Sequence, residues 1–218
     1  MELRLLSVNV AQPRVIAQLH GEDVLSGIAK KPVAAASVFV GTTNIEGDAQ
    51  ADLSVHGGPD KAVYAYSADQ WAWWQNEHAL ACAPGLFGEN LTVTGADEST
   101  VRIGDRFRWG KAVLEVSEPR APCFKFAIHS HRPDAPNLMT HHARCGWYLR
   151  VVTQGSAPVR DAVLIRIESD ETAPTVREAF RARFDPAVSH EARRHAHDTP
   201  KLAQSWRRAL EKRLFGSH

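Results

Sequence analysis

Cysteine is scarce in this sequence, with three residues among 218, at Cys82, Cys123 and Cys145. An odd number of widely separated cysteines does not form a disulfide framework, so we expect reduced thiols and a reducing compartment. No Cys-x-x-Cys pair suggests structural zinc, and no cysteine cluster suggests an iron–sulfur centre. The glycine fingerprint of dinucleotide-binding folds is also missing. The sequence therefore contains no signature of a built-in source of electrons.

Long apolar runs and an excess of charge are missing as well. No apolar segment approaches the roughly 20 residues that span a bilayer, and MELRLLSVNV at the start lacks the basic and apolar regions of a signal peptide. The net charge of +1 gives no general reason to expect binding to nucleic acid or to a membrane. We therefore expect a cytoplasmic protein with neither partner, in which any cationic site is local.

Residues 1–169 carry mostly the patterns of β-strands. Short β-branched segments with partial two-residue alternation recur, from Leu3 and Leu5 at the start to Val163, Ile165 and Ile167 at the end. This predicts a mainly β domain over residues 1–169.

From residue 170 the apolar period becomes helical, which predicts a small three-helix domain over residues 170–218. Thr175 and Glu178 have the spacing of a capping box, and Thr199 with Pro200 has the composition of a cap for the last helix. That helix carries an apolar stripe of Leu202, Trp206, Leu210 and Leu214. Because so small a bundle buries little by itself, we expect it to pack on the β domain or on a second subunit. The stripe favours a homodimer.

The segment PRAPCFK, residues 119–125, sets Cys123 between two prolines and two cations. The prolines restrict the backbone on either side of Arg120, so the cysteine leaves the preceding strand in a fixed direction. Arg120 and Lys125 favour a thiolate, the form that attacks electrophiles or binds metal. The alternative is that Cys123 is only a small buried apolar residue.

Two further segments suggest ligand contacts. HGGPDK, residues 56–61, predicts a tight turn whose backbone amides and Lys61 ammonium converge on an anion; the alternative is an ordinary hairpin turn with a solvated lysine. GENLT, residues 88–92, offers Asn90 and Thr92 at a strand start, where Asn90 either binds a ligand edge or satisfies the loop backbone.

A zinc site is a further hypothesis, because imidazole and thiolate are ligands of zinc. Its candidates are Cys123, His129, His131, His141 and His142. Their spacing matches no familiar zinc motif, and the sequence assigns the histidines no role.

Five motifs together resemble the MOSC family, which is related to the C-terminal part of molybdenum cofactor sulfurases, and most closely its YiiM-like bacterial branch. They are HGGPDKAVYAY, GLFGENLT, IGDRF, PRAPCFK and CGWYLRV, in this order. The resemblance covers nearly the whole chain and includes the three-helix tail. It implies a β-barrel with flanking short helices that binds a molybdenum–pterin cofactor, with Cys123 as the protein ligand to molybdenum.

The resemblance also implies an activity, the reduction of N-hydroxylated substrates such as N-hydroxylated purine base analogues, which is a detoxification. On this hypothesis Lys61 and Arg120 bind the cofactor phosphate, and the hydrogen-bonding candidates are His56, Tyr64, Asn90 and Thr92. Electrons then come from a separate reductase. The alternatives are a sulfur-carrying or cofactor-delivery protein without its own turnover, and a zinc-dependent enzyme.

Overall fold

The computed structural model describes residues 1–51 and 57–216. The strands in these ranges are β1 Glu2–Val10, β2 Arg14–Leu19, β3 Glu22–Ser26, β4 Lys31–Pro32, β5 Ser37–Val40, β6 Val63–Ser67, β7 Leu91–Thr94, β8 Arg106–Trp109, β9 Ala112–Pro119, β10 Trp147–Thr153, β11 Gly155–Pro158 and β12 Val163–Glu168. The α-helices are α1 Trp71–His78, α2 Phe124–His129, α3 Ala135–His142, α4 Val176–Phe184, α5 His190–Asp198 and α6 Gln204–Phe215.

Seven strands close a barrel in the order β12, β8, β9, β10, β6, β7 and β1, and β1 pairs with β12 to complete the circle. Closure leaves the barrel strands without free edges. The strand β4 extends the sheet beside β1, while β2 pairs with β3 and β5 pairs with β11. In β1, Leu3 and Leu5 are buried between exposed neighbours, as strand alternation into a core requires. The prediction of a mainly β barrel with short helices and a three-helix tail is confirmed.

One pair of barrel strands, β6 and β7, is parallel, with Ala65 opposite Leu91. A parallel pair needs a crossover connection, and here the connection includes α1. The crossover ends in the GLFGEN loop, which needs two glycines with positive φ. A Cβ on Gly85 would lie 2.5 Å from the Lys30 carbonyl oxygen, and one on Gly88 would lie 2.8 Å from Ile28 Cγ1. The glycines therefore let this loop pack against residues 28–30.

The three-helix tail packs on the barrel through α4, which contacts β9, while α5 packs on α4 and α6. Thr175 and Glu178 form the predicted capping box at the start of α4, and the Ala203 amide donates to the Ser117 carbonyl at 2.9 Å. The prediction for the start of the last helix is wrong, because α6 begins at Gln204. Thr199 instead ends α5, where its hydroxyl donates to the His195 carbonyl at 2.9 Å.

Three residues of the predicted apolar stripe, Leu202, Trp206 and Leu210, are covered within the chain, and the fourth, Leu214, is half-buried. Trp206 is 1% exposed, contacts the rings of Phe180 and Phe184, and donates from Nε1 to the Ala179 carbonyl at 3.2 Å; Leu210 is fully buried. The stripe therefore no longer gives a reason for a dimer. The homodimer and the division at residue 169 stay predictions. None of the helices in the described ranges has both the length and the hydropathy that crossing a bilayer requires.

Candidate functional site

Cys123 lies four residues beyond the end of β9, immediately before α2. Its backbone is extended, with φ −138° and ψ 164°, and its side chain makes no capping hydrogen bond to the helix. The side chain of Cys123 is partly exposed. Cys82 is also partly exposed but does not line the pocket described below, and Cys145 is buried in the core. Cys123 is thus a partly exposed thiol between a barrel strand and a helix.

A pocket opens beside Cys123 and collects most of the predicted site residues. Its described lining comprises Ser26, Gly27, Ile28, Lys30, Asp48, Ala49, Gln50, Ala51, Lys61, Tyr64, Phe87, Gly88, Asn90, Arg120, Ala121, Cys123, Lys125 and Tyr148. Residues that are 97 positions apart in the sequence, such as Ser26 at the end of β3 and Cys123, line this pocket together. The fold thereby brings four cations from three separate segments to the pocket of one thiol.

Arg120 is the least solvated of these cations, with 5% exposure. Its guanidinium lies over the rings of Tyr64 and Phe126, 5.6 and 5.5 Å from their centroids, and its Nη1 lies 3.2 Å from Met139 Sδ. Within the described ranges no carboxylate forms an ion pair with it. A buried charge is normally paired, so this arginine makes the pocket a strong candidate for an anion.

Lys61 is positioned by the short turn Pro59–Lys61. Asp60 in this turn pairs with Arg150 at 2.7 Å, and its carbonyl accepts from the Ser117 hydroxyl at 2.5 Å. The Lys61 ammonium lies 3.5 Å from the buried carboxylate of Glu118. Burial raises the pKa of Glu118 above its ordinary value, against the attraction of Lys61. Pro59–Lys61 thus form a short turn inside the predicted segment, and Lys61 lines the pocket, while its contact with an anion stays a prediction.

Two more lysines line the pocket. Lys30 is almost fully buried in an ion pair with Asp48, and burial lowers the pKa of Lys30 despite this partner. Lys125 donates from Nζ to the Leu25 carbonyl at 2.9 Å, so it ties the segment after Cys123 to β3. Lys30 was missed at the level of sequence, because no motif links residues 26–30 to the cysteine.

Asn90 and Tyr64 line the pocket, yet both serve the fold. Asn90 Oδ1 accepts from the Tyr64 amide at 3.0 Å, and its Nδ2 donates to the Asn9 carbonyl at 3.2 Å and to Asp48 Oδ2 at 2.9 Å. The Tyr64 hydroxyl donates to the Cys145 carbonyl at 2.8 Å. These contacts support the alternative in which Asn90 satisfies the backbone of its surroundings. A contact between a ligand and the side chain of Asn90 or Tyr64 stays a prediction.

Thr92 does not line the pocket. It is fully buried, donates to Glu89 Oε1 at 2.7 Å and accepts from Asn9 Nδ2 at 3.1 Å. Glu89 also accepts from the amides of Gly85 and Phe87, at 2.7 and 3.0 Å, which holds the GLFGEN loop in place. Burial raises the pKa of Glu89 to about 7 although these hydrogen bonds favour its charged form. The prediction of Thr92 as a direct ligand contact finds no support in this placement.

His56 lies outside the described residues. The histidines of the zinc hypothesis do not assemble: the rings of His141 and His142 meet edge to face at the end of α3, with centroids 4.8 Å apart, and His142 packs against Trp73. Among the described residues no group of three or more His, Cys, Asp or Glu side chains is arranged to hold a metal ion. The described part of the chain therefore offers no zinc site.

Comparison with known proteins agrees with this architecture. Residues 52–164 match the MOSC domain. The chain is 35% identical to the uncharacterized protein YflK of Bacillus subtilis (strain 168), over 95% of this chain and 93% of that one. It is also 35% identical to the protein YiiM of Escherichia coli (strain K12), over 90% of this chain and 88% of that one. The chain belongs to the MOSC domain family, and membership supports a function associated with the molybdenum cofactor.

A crystal structure of YiiM from Geobacillus stearothermophilus superposes with a TM-score of 0.81 and 29% sequence identity, over 97% of this chain and 99% of that one. The match therefore includes the three-helix tail as well as the barrel. A local similarity extends to a protein named reductase from Gibberella moniliformis (strain M3125 / FGSC 7600), 37% identical over 58% of this chain but only 23% of that protein.

Proposed function

We propose that this protein binds a molybdenum cofactor in the pocket beside Cys123 and reduces N-hydroxylated compounds, such as N-hydroxylated purine base analogues, in a detoxifying reaction. The observation that carries the proposal is that Cys123 lines the same pocket as Arg120, a buried cation without a carboxylate among the described residues. A soft sulfur ligand beside an unneutralised cation suits a group that contains both a metal and a phosphate. Family membership and the similarity to a protein named reductase support the oxidoreductase class.

The residues of the pocket fit this cofactor. Cys123 would be the protein ligand to the metal, since thiolate is a soft donor that binds metals also held by sulfur. Arg120 and Lys61 would bind the phosphate through charge-assisted hydrogen bonds. Arg120 is held between two aromatic rings and Lys61 by Glu118, so both cations are oriented before any ligand arrives. When bound, the cofactor would supply two-electron redox chemistry at the N–OH group of the substrate.

The overall reaction consumes two electrons and two protons, breaks the N–O bond and releases the amine or amidine and water. The sequence contains no dinucleotide fingerprint and no cysteine cluster, so the electrons would come from a separate reductase. In the relative named reductase, about three-quarters of the chain lies outside the match.

The cofactor is tested by metal analysis of protein produced in a host that makes the cofactor. We expect molybdenum in the purified protein and a fluorescent pterin derivative after oxidation. One equivalent of zinc without pterin would favour a zinc-dependent enzyme. If neither metal nor pterin is found after reconstitution, a sulfur-carrying or delivery protein becomes the better hypothesis, and a persulfide on Cys123 would be detected by mass.

The catalytic part is tested with Cys123→Ser, which is nearly isosteric and should keep the fold. We expect this variant to lose reduction of an N-hydroxylated purine with a chemical electron donor, because a hydroxyl is a poorer ligand for this metal. Cys82→Ser is the matched control, since Cys82 is also partly buried but does not line the pocket. If folded Cys123→Ser keeps wild-type turnover per bound molybdenum, Cys123 is not the ligand.

A further inference from the structure

A second concave surface lies on the tail, between α4 and α6. We call it the basic groove; it is lined by Arg183, Phe184, Ser205, Arg208, Ala209, Lys212 and Arg213. Its lining contains four cations and no acidic side chain, in a chain whose net charge is only +1. The groove is thus a local concentration of positive charge, and the proposed function does not use it.

Within the described structure the charge of the groove is only partly balanced, by the attraction between Glu118 and Arg183. None of the four forms an ion pair there. Arg208 and Lys212 are four residues apart on α6, a spacing at which like charges destabilise a helix. Lys212 and Arg213 in the last turn complement the helix dipole, but this reason does not apply to Arg183 on α4 or to Arg208.

One of these cations is held in place. The Arg183 guanidinium lies over the rings of Trp206 and Phe184, 4.5 and 4.9 Å from their centroids. An arginine that is fixed on aromatic faces loses little further freedom when it binds an anion. The groove therefore combines fixed and adaptable cations along about two turns of α6.

The groove is connected to the pocket of Cys123 through a single carboxylate. The Ser205 hydroxyl, in the groove, donates to Glu118 Oε2 at 2.6 Å. Glu118 Oε1 lies 3.5 Å from the Lys61 ammonium, which lines the pocket. A protein bound in the groove would thus lie beside the wall of the pocket where electrons are needed.

We propose that the basic groove is the docking site for an acidic face of the protein that donates electrons to the pocket. This inference rests on the proposed function, which requires an external donor. Charge complementarity steers and orients such transient redox encounters. Nucleic acid is the less suitable occupant, because four cations are confined to one groove of a nearly neutral chain, whereas duplex binding needs an extended basic surface.

The test compares two electron donors at low ionic strength, with an N-hydroxylated purine as substrate. Reduced flavodoxin is the acidic protein donor, and dithionite is a small donor that needs no docking. The groove variant is R208E with K212E. Its matched control is R181E with R194E, which makes the same charge change on exposed helix positions outside the groove.

We expect the groove variant to lower kcat/KM for flavodoxin at least tenfold and to leave turnover with dithionite within twofold of wild type. The control should stay within threefold with both donors. Added salt should slow the wild type with flavodoxin and abolish its difference from the groove variant. Circular dichroism and thermal unfolding check that both double variants are folded.

The outcomes separate the two hypotheses. Absence of turnover even with dithionite would overturn the proposed function, and the docking inference with it. Turnover with dithionite, but either none with flavodoxin in the wild type or equal rates in both double variants, would overturn docking alone. Docking would also be refuted if the groove variant lost duplex DNA binding while its rates with flavodoxin were unchanged.

Discussion

Replacing Arg120 by methionine should weaken cofactor binding without unfolding the cofactor-free protein. Arg120 is 5% exposed and has no carboxylate partner among the described residues. Exchanging a buried ion pair for apolar groups of similar volume is commonly neutral or stabilising, by about 1–4 kcal/mol, and an unpaired buried charge lacks even the attraction that offsets its desolvation. Methionine would forfeit two cation–π contacts, each worth about 0.5–1 kcal/mol, over Tyr64 and Phe126. We therefore expect the free energy of unfolding to lie between about 2 kcal/mol below wild type and about 3 kcal/mol above it.

The same change should act in the opposite direction on the cofactor. A hydrogen bond to a charged group contributes about 1.5–3 kcal/mol. Its loss corresponds to an affinity about 10- to 150-fold weaker. Molybdenum and pterin content per protein chain should fall accordingly when Arg120→Met and wild type are produced under the same conditions.

Urea unfolding of the cofactor-free protein, followed by tryptophan fluorescence, measures the change in the free energy of unfolding caused by Arg120→Met. Arg150→Met is the control for a paired arginine, because Arg150 bonds Asp60 at 2.7 Å and the buried Glu115 at 2.9 Å. Removing it should cost about 1–3 kcal/mol, since Glu115 loses a partner. If Arg120→Met costs 3–5 kcal/mol instead, Arg120 is part of a structural pairing, and the argument for an anion in the pocket fails.

Two further predictions concern stability. Burial raises the pKa of Glu98 to about 7, although hydrogen bonds from the Gly146 amide and the Gln70 amide group favour the charged carboxylate. The protonated Glu98 side chain therefore contributes its full stabilisation below about pH 4.5, and this stabilisation is lost as the pH rises through about 7. The unfolding free energy of wild type minus that of Glu98→Gln should therefore fall by about 3 kcal/mol at most between pH 4.5 and 8 in urea titrations; a pH-independent difference would contradict the raised pKa. Thr175→Ala should cost about 1 kcal/mol in the same assay, because it removes the cap that accepts from the Glu178 amide at 3.2 Å, and an unchanged midpoint would show that the cap contributes nothing.

Local patterns were sufficient for much of the fold. Alternation in Leu3 and Leu5 predicts a strand with one buried face, and β1 has this pattern because strand side chains point alternately to the two faces. The capping box of Thr175 is equally local, since its donor and acceptor are three residues apart. The start of α6 was mispredicted because Thr199 can end one helix as readily as begin another, and only the contact with His195 decides between them.

The candidate site was likewise only partly predictable from the sequence. The sequence by itself determined which residues near Cys123 carry charge, the extended backbone that leads to it, and the motifs that resemble the family, because these depend on neighbours along the chain. It did not determine that Lys30 joins the pocket, that Thr92 is turned into the core beside Glu89, or that Trp206 is covered within the chain. Barrel closure and packing of the tail decided these features, because they bring together side chains that are distant in sequence, and the surroundings of a side chain set its burial, its partners and its pKa.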